Sequence, residues 1–184
     1  ASDVYKRQTS ISAVLPAFAQ NEIFYSLMLA GMGAGLLLGS LFAGFPKLKE
    51  ISLGKLYIYG MMIVALAWIL FSNFQNNIKI EVVLYGLGWF VVGVVNVYAQ
   101  TMVQIIVPSE KIGSAMGAMV GISTFMSPIG ALFGGVLGEY LSSSKAIFIG
   151  SFIIFLVAIF WALNKNIRKL PSVNEFNKVL EKIN

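Results

Sequence analysis

The sequence predicts an all-α, polytopic membrane helical bundle with five full transmembrane helices plus the end of a sixth. Three observations carry this. The 184-residue chain is 58% hydrophobic and only 11% charged, with a mean hydropathy of +0.82. Soluble domains lie near about 45–50% apolar and about 25% charged, so most of this chain cannot face water. Uncharged runs of the length a spanning helix needs, about 20 residues, recur along it. The connections between them, "KLKEISLGK", "NNIKIE", "SEK" and "EYLSSSK", are short, which joins antiparallel neighbours into a bundle.

The opening octet "ASDVYKRQ" is polar and has no initiator Met. One spelling of it, GCG TCA GAT GTG TAT AAG AGA CAG, is the end of a transposase-inserted sequencing adapter. Residues 1–8 are therefore read as an adapter-derived artefact, and Asp3, Lys6 and Arg7 leave the charge balance. Residues 9–21 form a partial helix, the last turns of a span whose start is cut away. Full spans follow at about 22–45, 56–74, 82–107, 112–140 and 146–164. The tail, 170–184, is amphipathic: Ser172 and Glu175 have capping-box spacing after Pro171. Val173, Phe176, Leu180 and Ile183 recur at helical period. Such a tail either lies on the inner leaflet or frays into the cytoplasm.

The chain has no Cys and no His. That removes thiol nucleophiles, imidazole bases and the commonest zinc ligands. No paired carboxylates or Ser/Lys dyad lie in the spans, so neither catalysis nor a metal or cofactor is expected. The net charge, +5 over the whole chain and +4 without residues 1–8, is spread between apolar runs, without the stripe that nucleic-acid binding requires. It records insertion topology instead. Lys47, Lys49, Lys55, Lys111, Lys165, Arg168 and Lys169 fall on one side, and only Lys79 and Lys145 on the other. The basic side is expected to be cytoplasmic, with the C-terminus inside. No Asp, Glu, Lys or Arg lies within a span; Glu22, Glu81 and Glu139 sit at outer ends. An intramembrane ionisable group, which proton coupling normally needs, is thus not supplied by this stretch.

Small residues recur at intervals of four: Gly31, Gly35, Gly39 and Ala43 in the first span, with Gly113, Gly117, Gly121, Gly130, Gly134 and Gly138 in the fourth. This spacing predicts close helix–helix packing on one face of each. Such smooth faces also suit rocking motions during gating. Pro128 lies near the middle of the fourth span and predicts a bend or a hinge. Ser123, Thr124 and Ser127 stand ready to re-satisfy the freed carbonyl. In the third span, Asn96, Gln100 and Gln104 repeat every four residues, and Trp89 and Gly93 continue that face. Amides in hydrocarbon are costly without partners. The stripe is therefore expected to face a bundle interior or cavity, either bonding another helix or touching substrate through Asn96, Gln100 and Trp89. Residues 82–107 span roughly 39 Å at ~1.5 Å per residue, which puts Asn96 near the bilayer midplane.

Three segments carry a family resemblance: "GMGAGLLLGSLFAGFPKLKEISLGKL", "LYGLGWFVVGVVNVYAQTMVQIIVPSEKIGSAMGA" and "MSPIGALFGGVLGEYL". They resemble the eighth helix with its basic loop, the tenth helix with its turn into the eleventh, and the eleventh helix. The family is the major facilitator superfamily, and the likeness is to bacterial drug-efflux members of the macrolide-exporter type. The resemblance makes 9–169 the C-terminal transmembrane half, with 9–20 as the end of helix seven and the full spans as helices eight to twelve. It implies that helices seven and ten line a central cavity, and that a missing N-terminal half of the same polypeptide is a partner. The loop departs from the family pattern: Ala43 and Gly44 stand where an acid often falls, which removes a charge relay. The expected function is a secondary active transporter of the cell membrane. It exports hydrophobic or amphipathic small molecules by alternating access, as an ion-coupled antiporter whose coupling residues lie in the missing half. An uptake permease of the same architecture and a membrane scaffold subunit are the alternatives. The expected partners are the lipid bilayer and a small-molecule substrate.

Overall fold

The computed structural model describes residues 15, 18, 19, 22–74 and 77–180. The octet 1–8, most of 9–21 and the last tail residues, Ile183 among them, lie outside these. Every regular element among the described residues is helical: α1 (Glu22–Phe42), α2 (Leu53–Asn73), α3 (Ile78–Ile106), α4 (Ile112–Leu141), α5 (Ser143–Leu163), α6 (Lys165–Arg168) and α7 (Val173–Leu180). The first five are long and apolar enough to cross a membrane. The chain is an all-α bundle of the membrane type.

Helix ends depart from the predicted spans where polar caps intervene. α3 begins at Ile78 rather than 82, because the Asn77 side-chain oxygen accepts from the amides of Lys79 at 3.2 Å and Ile80 at 3.4 Å. An Asn in this position satisfies amides that have no partner within the helix. α5 begins at Ser143 rather than 146 behind Ser142, whose hydroxyl accepts from the Lys145 amide. Ser142 has a φ of 121°, so α4 and α5 are joined by a sharp, strained corner. α1 stops at Phe42; Phe45 is extended and Pro46 opens a short 3-10 turn over Pro46–Glu50.

Packing runs in a chain of neighbours. α1 lies along α3, α3 also packs on α2, α2 on α5, and α5 on α4, while α4 touches α3 only slightly. Two cores result. An aromatic one joins Leu15, Phe18, Phe24, Met28, Trp68, Phe71 and Tyr85. A second, at the end carrying Lys47, Lys49 and Lys55, joins Ala43, Leu53, Leu56, Val94, Tyr98 and Val173. Leu15 is 1% exposed, and the Ala19 amide donates to its carbonyl at 2.8 Å, so the segment before α1 enters the first core. α4 contributes no buried residue at all. In lipid, apolar side chains gain nothing by leaving water, so cohesion rests on close packing and hydrogen bonds.

Candidate functional site

The closest approach in the bundle is the seam between α1 and α3. A methyl group on Gly39 would fall on the carbonyl of Phe90, and one on Gly35 on the carbonyl of Gly86. Across the seam, a Cβ on Gly93 would stand 2.6 Å from the Leu36 carbonyl oxygen, and one on Gly86 would stand 3.2 Å from that of Gly31. Gly31 is less tight, with Val82 3.3 Å from an added Cβ. Only glycine lets these backbones meet, which is the small-residue packing of membrane helices. Gly86 and Gly93, the α3 half of the seam, were not read from the sequence as packing residues.

The four-residue spacing in α4 behaves differently. A Cβ on Gly113, Gly117, Gly121 or Gly130 would meet nothing within 4 Å. The predicted packing face is therefore open along these positions. The physical reason is that α4 touches the rest chiefly through α5, and its Gly113–Gly121 row takes no part in that contact. Pro128 sits inside a helix that continues through it. The Ser123 hydroxyl bonds back to the Met119 carbonyl at 2.9 Å. No hydroxyl among the described residues reaches the carbonyl that Pro128 leaves free.

Asn96, Gln100 and Gln104 all lie exposed on α3, and none makes a hydrogen bond among the described residues. Within the described bundle the stripe is thus not buried between packed helices. α3 turns its glycine and aromatic side, with Gly93, Val94 and Tyr98 buried, to α1 and α2, so its amide side falls at the edge. Gly93, expected on the amide face, belongs to the seam. Trp89 is separated from the amides as well. It is half-buried, its ring centroid 5.6 Å from that of Trp68 and 6.1 Å from that of Tyr85. Its indole N–H is buried without an acceptor in hydrogen-bond geometry.

A cavity of about 380 Å³ opens between α2, α3, α4 and α5, lined by Trp68, Phe71 and Tyr85 on one side and by Ser127, Phe133 and Ser151 on the other. Asn96, Gln100 and Trp89 do not line it. Its aromatic wall is closely packed. The Phe71 and Tyr85 rings lie 5.3 Å apart, the Trp68 indole donates weakly to the Tyr85 carbonyl at 3.4 Å, and Gly88 leaves the room that this indole fills. The Ser144 hydroxyl bonds to the Ser72 carbonyl, fastening the start of α5 to the end of α2 beside it. The sequence signal for this cavity is thin, since its walls come from four separate helices. Among the described residues no cluster of acidic side chains could hold a metal ion.

At the basic end, α6 and α7 strap the helix ends together. The Ser52 hydroxyl donates to the Leu170 carbonyl at 2.7 Å, and the Leu53 amide to that of Pro171 at 3.2 Å. Gly54 lets the Ile167 carbonyl close in. The capping box is formed: the Ser172 amide donates to the Glu175 carboxylate at 2.8 Å and the Glu175 amide to the Ser172 hydroxyl at 3.2 Å. Val173 is buried against Ala43, Leu53, Leu56 and Tyr98, with Phe176 packed beside it. The start of the tail is thus docked on protein, because Val173 finds a pocket in the bundle end.

Searches of protein-family models, of curated proteins and of solved structures find no match to the chain.

Proposed function

We propose that this chain is the C-terminal half of a secondary active transporter of the major facilitator type. In this reading it exports hydrophobic or amphipathic small molecules by alternating access, with an ion gradient coupled through a separate N-terminal half. It sits in the plasma membrane with its basic end and C-terminus in the cytoplasm, the arrangement favoured by seven cationic side chains at one end against Lys79 and Lys145 at the other. The observation that carries the reading is the exposed amide row of Asn96 and Gln100 on a helix otherwise suited to hydrocarbon. An amide facing lipid is costly. A row of them on the open side of a bundle fits a water-lined path or a second bundle closing over it. The absence of any buried residue on α4 fits the same closure.

The test is export of a fluorescent hydrophobic dye by the protein encoded at the intact locus, with Asn96→Val and Gln100→Leu compared at equal membrane abundance. Each variant is expected to lower the export rate about 2- to 12-fold, the equivalent of one hydrogen bond of about 0.5–1.5 kcal/mol. Unchanged export in the double variant removes the amides from the transport path.

A further inference from the structure

We propose that the cavity between α2, α3, α4 and α5 is a binding site for an uncharged, flat, largely apolar small molecule bearing one or two hydrogen-bonding groups. Its volume, about 380 Å³, falls within the range of about 300–1,000 Å³ of small-molecule pockets, which are typically apolar with a few placed polar groups. This cavity has that make-up. Among the described residues no charged side chain lines it, so a charged ligand would shed its water with no counter-charge in return. A neutral ligand loses nothing by that.

Ligand shape follows from the aromatic wall. Trp68, Phe71, Tyr85 and Phe133 line the space, and such rings favour flat partners held by offset stacking or edge-to-face contact. The polar requirement follows from two hydroxyls. Ser151 already donates to the Ile147 carbonyl at 2.7 Å, so toward a ligand it can only accept. Ser127, with no hydrogen bond among the described residues, can donate or accept. A hydroxyl or amide on a flat ring system satisfies both. A lipid acyl chain would use neither.

The space is also built by glycine in an unusual sense. Small residues in membrane helices normally bring backbones together, as Gly35 and Gly39 do. Gly130 and Gly150 line the cavity, yet a Cβ on either meets nothing within 4 Å. Neither glycine serves close packing, so both belong to the open rim of the cavity. This assignment does not depend on the transport reading.

The test uses the full chain in phosphatidylcholine vesicles, reading energy transfer from tryptophan to 1-naphthol, a neutral flat ring with one hydroxyl. Saturable transfer is expected with 1-naphthol and not with the charged 1-naphthalenesulfonate. The double variant Gly130→Leu/Gly150→Leu, the filled variant, adds bulk at two lining positions without striking protein. It is expected to weaken 1-naphthol at least 10-fold while keeping the helical circular dichroism and Tm of the wild type. Ser127→Ala/Ser151→Ala should weaken 1-naphthol several-fold and leave unsubstituted naphthalene unchanged, which tests the site without any added bulk. Saturable transfer that survives in the filled variant overturns the proposal. So does tryptophan quenching by dibrominated phosphatidylcholine that is lost in the filled variant but not displaced by 1-naphthol, since the occupant is then a lipid chain.

Discussion

A methyl group at Gly39 would land on the Phe90 carbonyl of α3, whereas one at Gly121 of α4 would meet open space. Both glycines belong to rows with the same four-residue spacing, and nothing in either row distinguishes them. The distinction lies in the partner: α3 offers Gly86 and Gly93 opposite α1, and α4 has no such neighbour along its Gly113–Gly121 row. Gly39→Leu is therefore expected to destabilise the bundle by about 1–3 kcal/mol through overpacking, and Gly121→Leu to leave it as stable as the wild type. Thermal unfolding in detergent compares the two, and equal losses would remove the seam from the account. Ser142 makes the opposite case. Its φ of 121° costs a side-chain-bearing residue about 1–3 kcal/mol, while replacing a capping Ser by Gly forfeits only a few tenths. Ser142→Gly is expected to raise Tm; a fall would mean that the hydroxyl cap outweighs the strain. The cavity serines and aromatics were illegible for a related reason: Trp68, Tyr85, Ser127 and Ser151 sit on four helices, and no spacing along one helix reveals a space between four.

At the scale of elements, five uncharged runs became five helices, because a run too apolar for water and too long for a strand has one stable form in lipid. Boundaries were less legible. They depend on single polar side chains such as Asn77 and Ser142, which carry little weight beside twenty apolar neighbours. The tail was legible as a helix through its capping box, but not as a strap, since its docking pocket is assembled from Ala43, Leu53, Leu56 and Tyr98, distant in sequence. Val173→Asp places a charge in that pocket. It is expected to free the tail and to raise proteolysis near Leu170 several-fold, with α1–α5 left intact in the membrane. Unchanged proteolysis would show that the backbone bonds of Ser52 and Leu53 hold the strap without Val173.

At the scale of the described bundle, the α1/α3 seam is closely packed, with α2 on α3 and α5 on α2, whereas Asn96 and Gln100 are exposed and α4 has no buried residue. An alternation of seven cations against two gives that body a direction. Because the chain lacks Cys, Lys79→Cys and Lys111→Cys can be tested singly with an impermeant maleimide on intact cells. Lys79→Cys is expected to react and Lys111→Cys to react only after permeabilisation; the reverse pattern inverts the topology. The central claim is that this body moves small molecules using an ion gradient. It is tested most directly by dye flux in proteoliposomes holding this chain together with the proposed N-terminal half, with the proton gradient imposed and then collapsed. The account predicts concentrative dye movement that stops when the gradient collapses, and dye movement that continues unchanged without any ion gradient would contradict it.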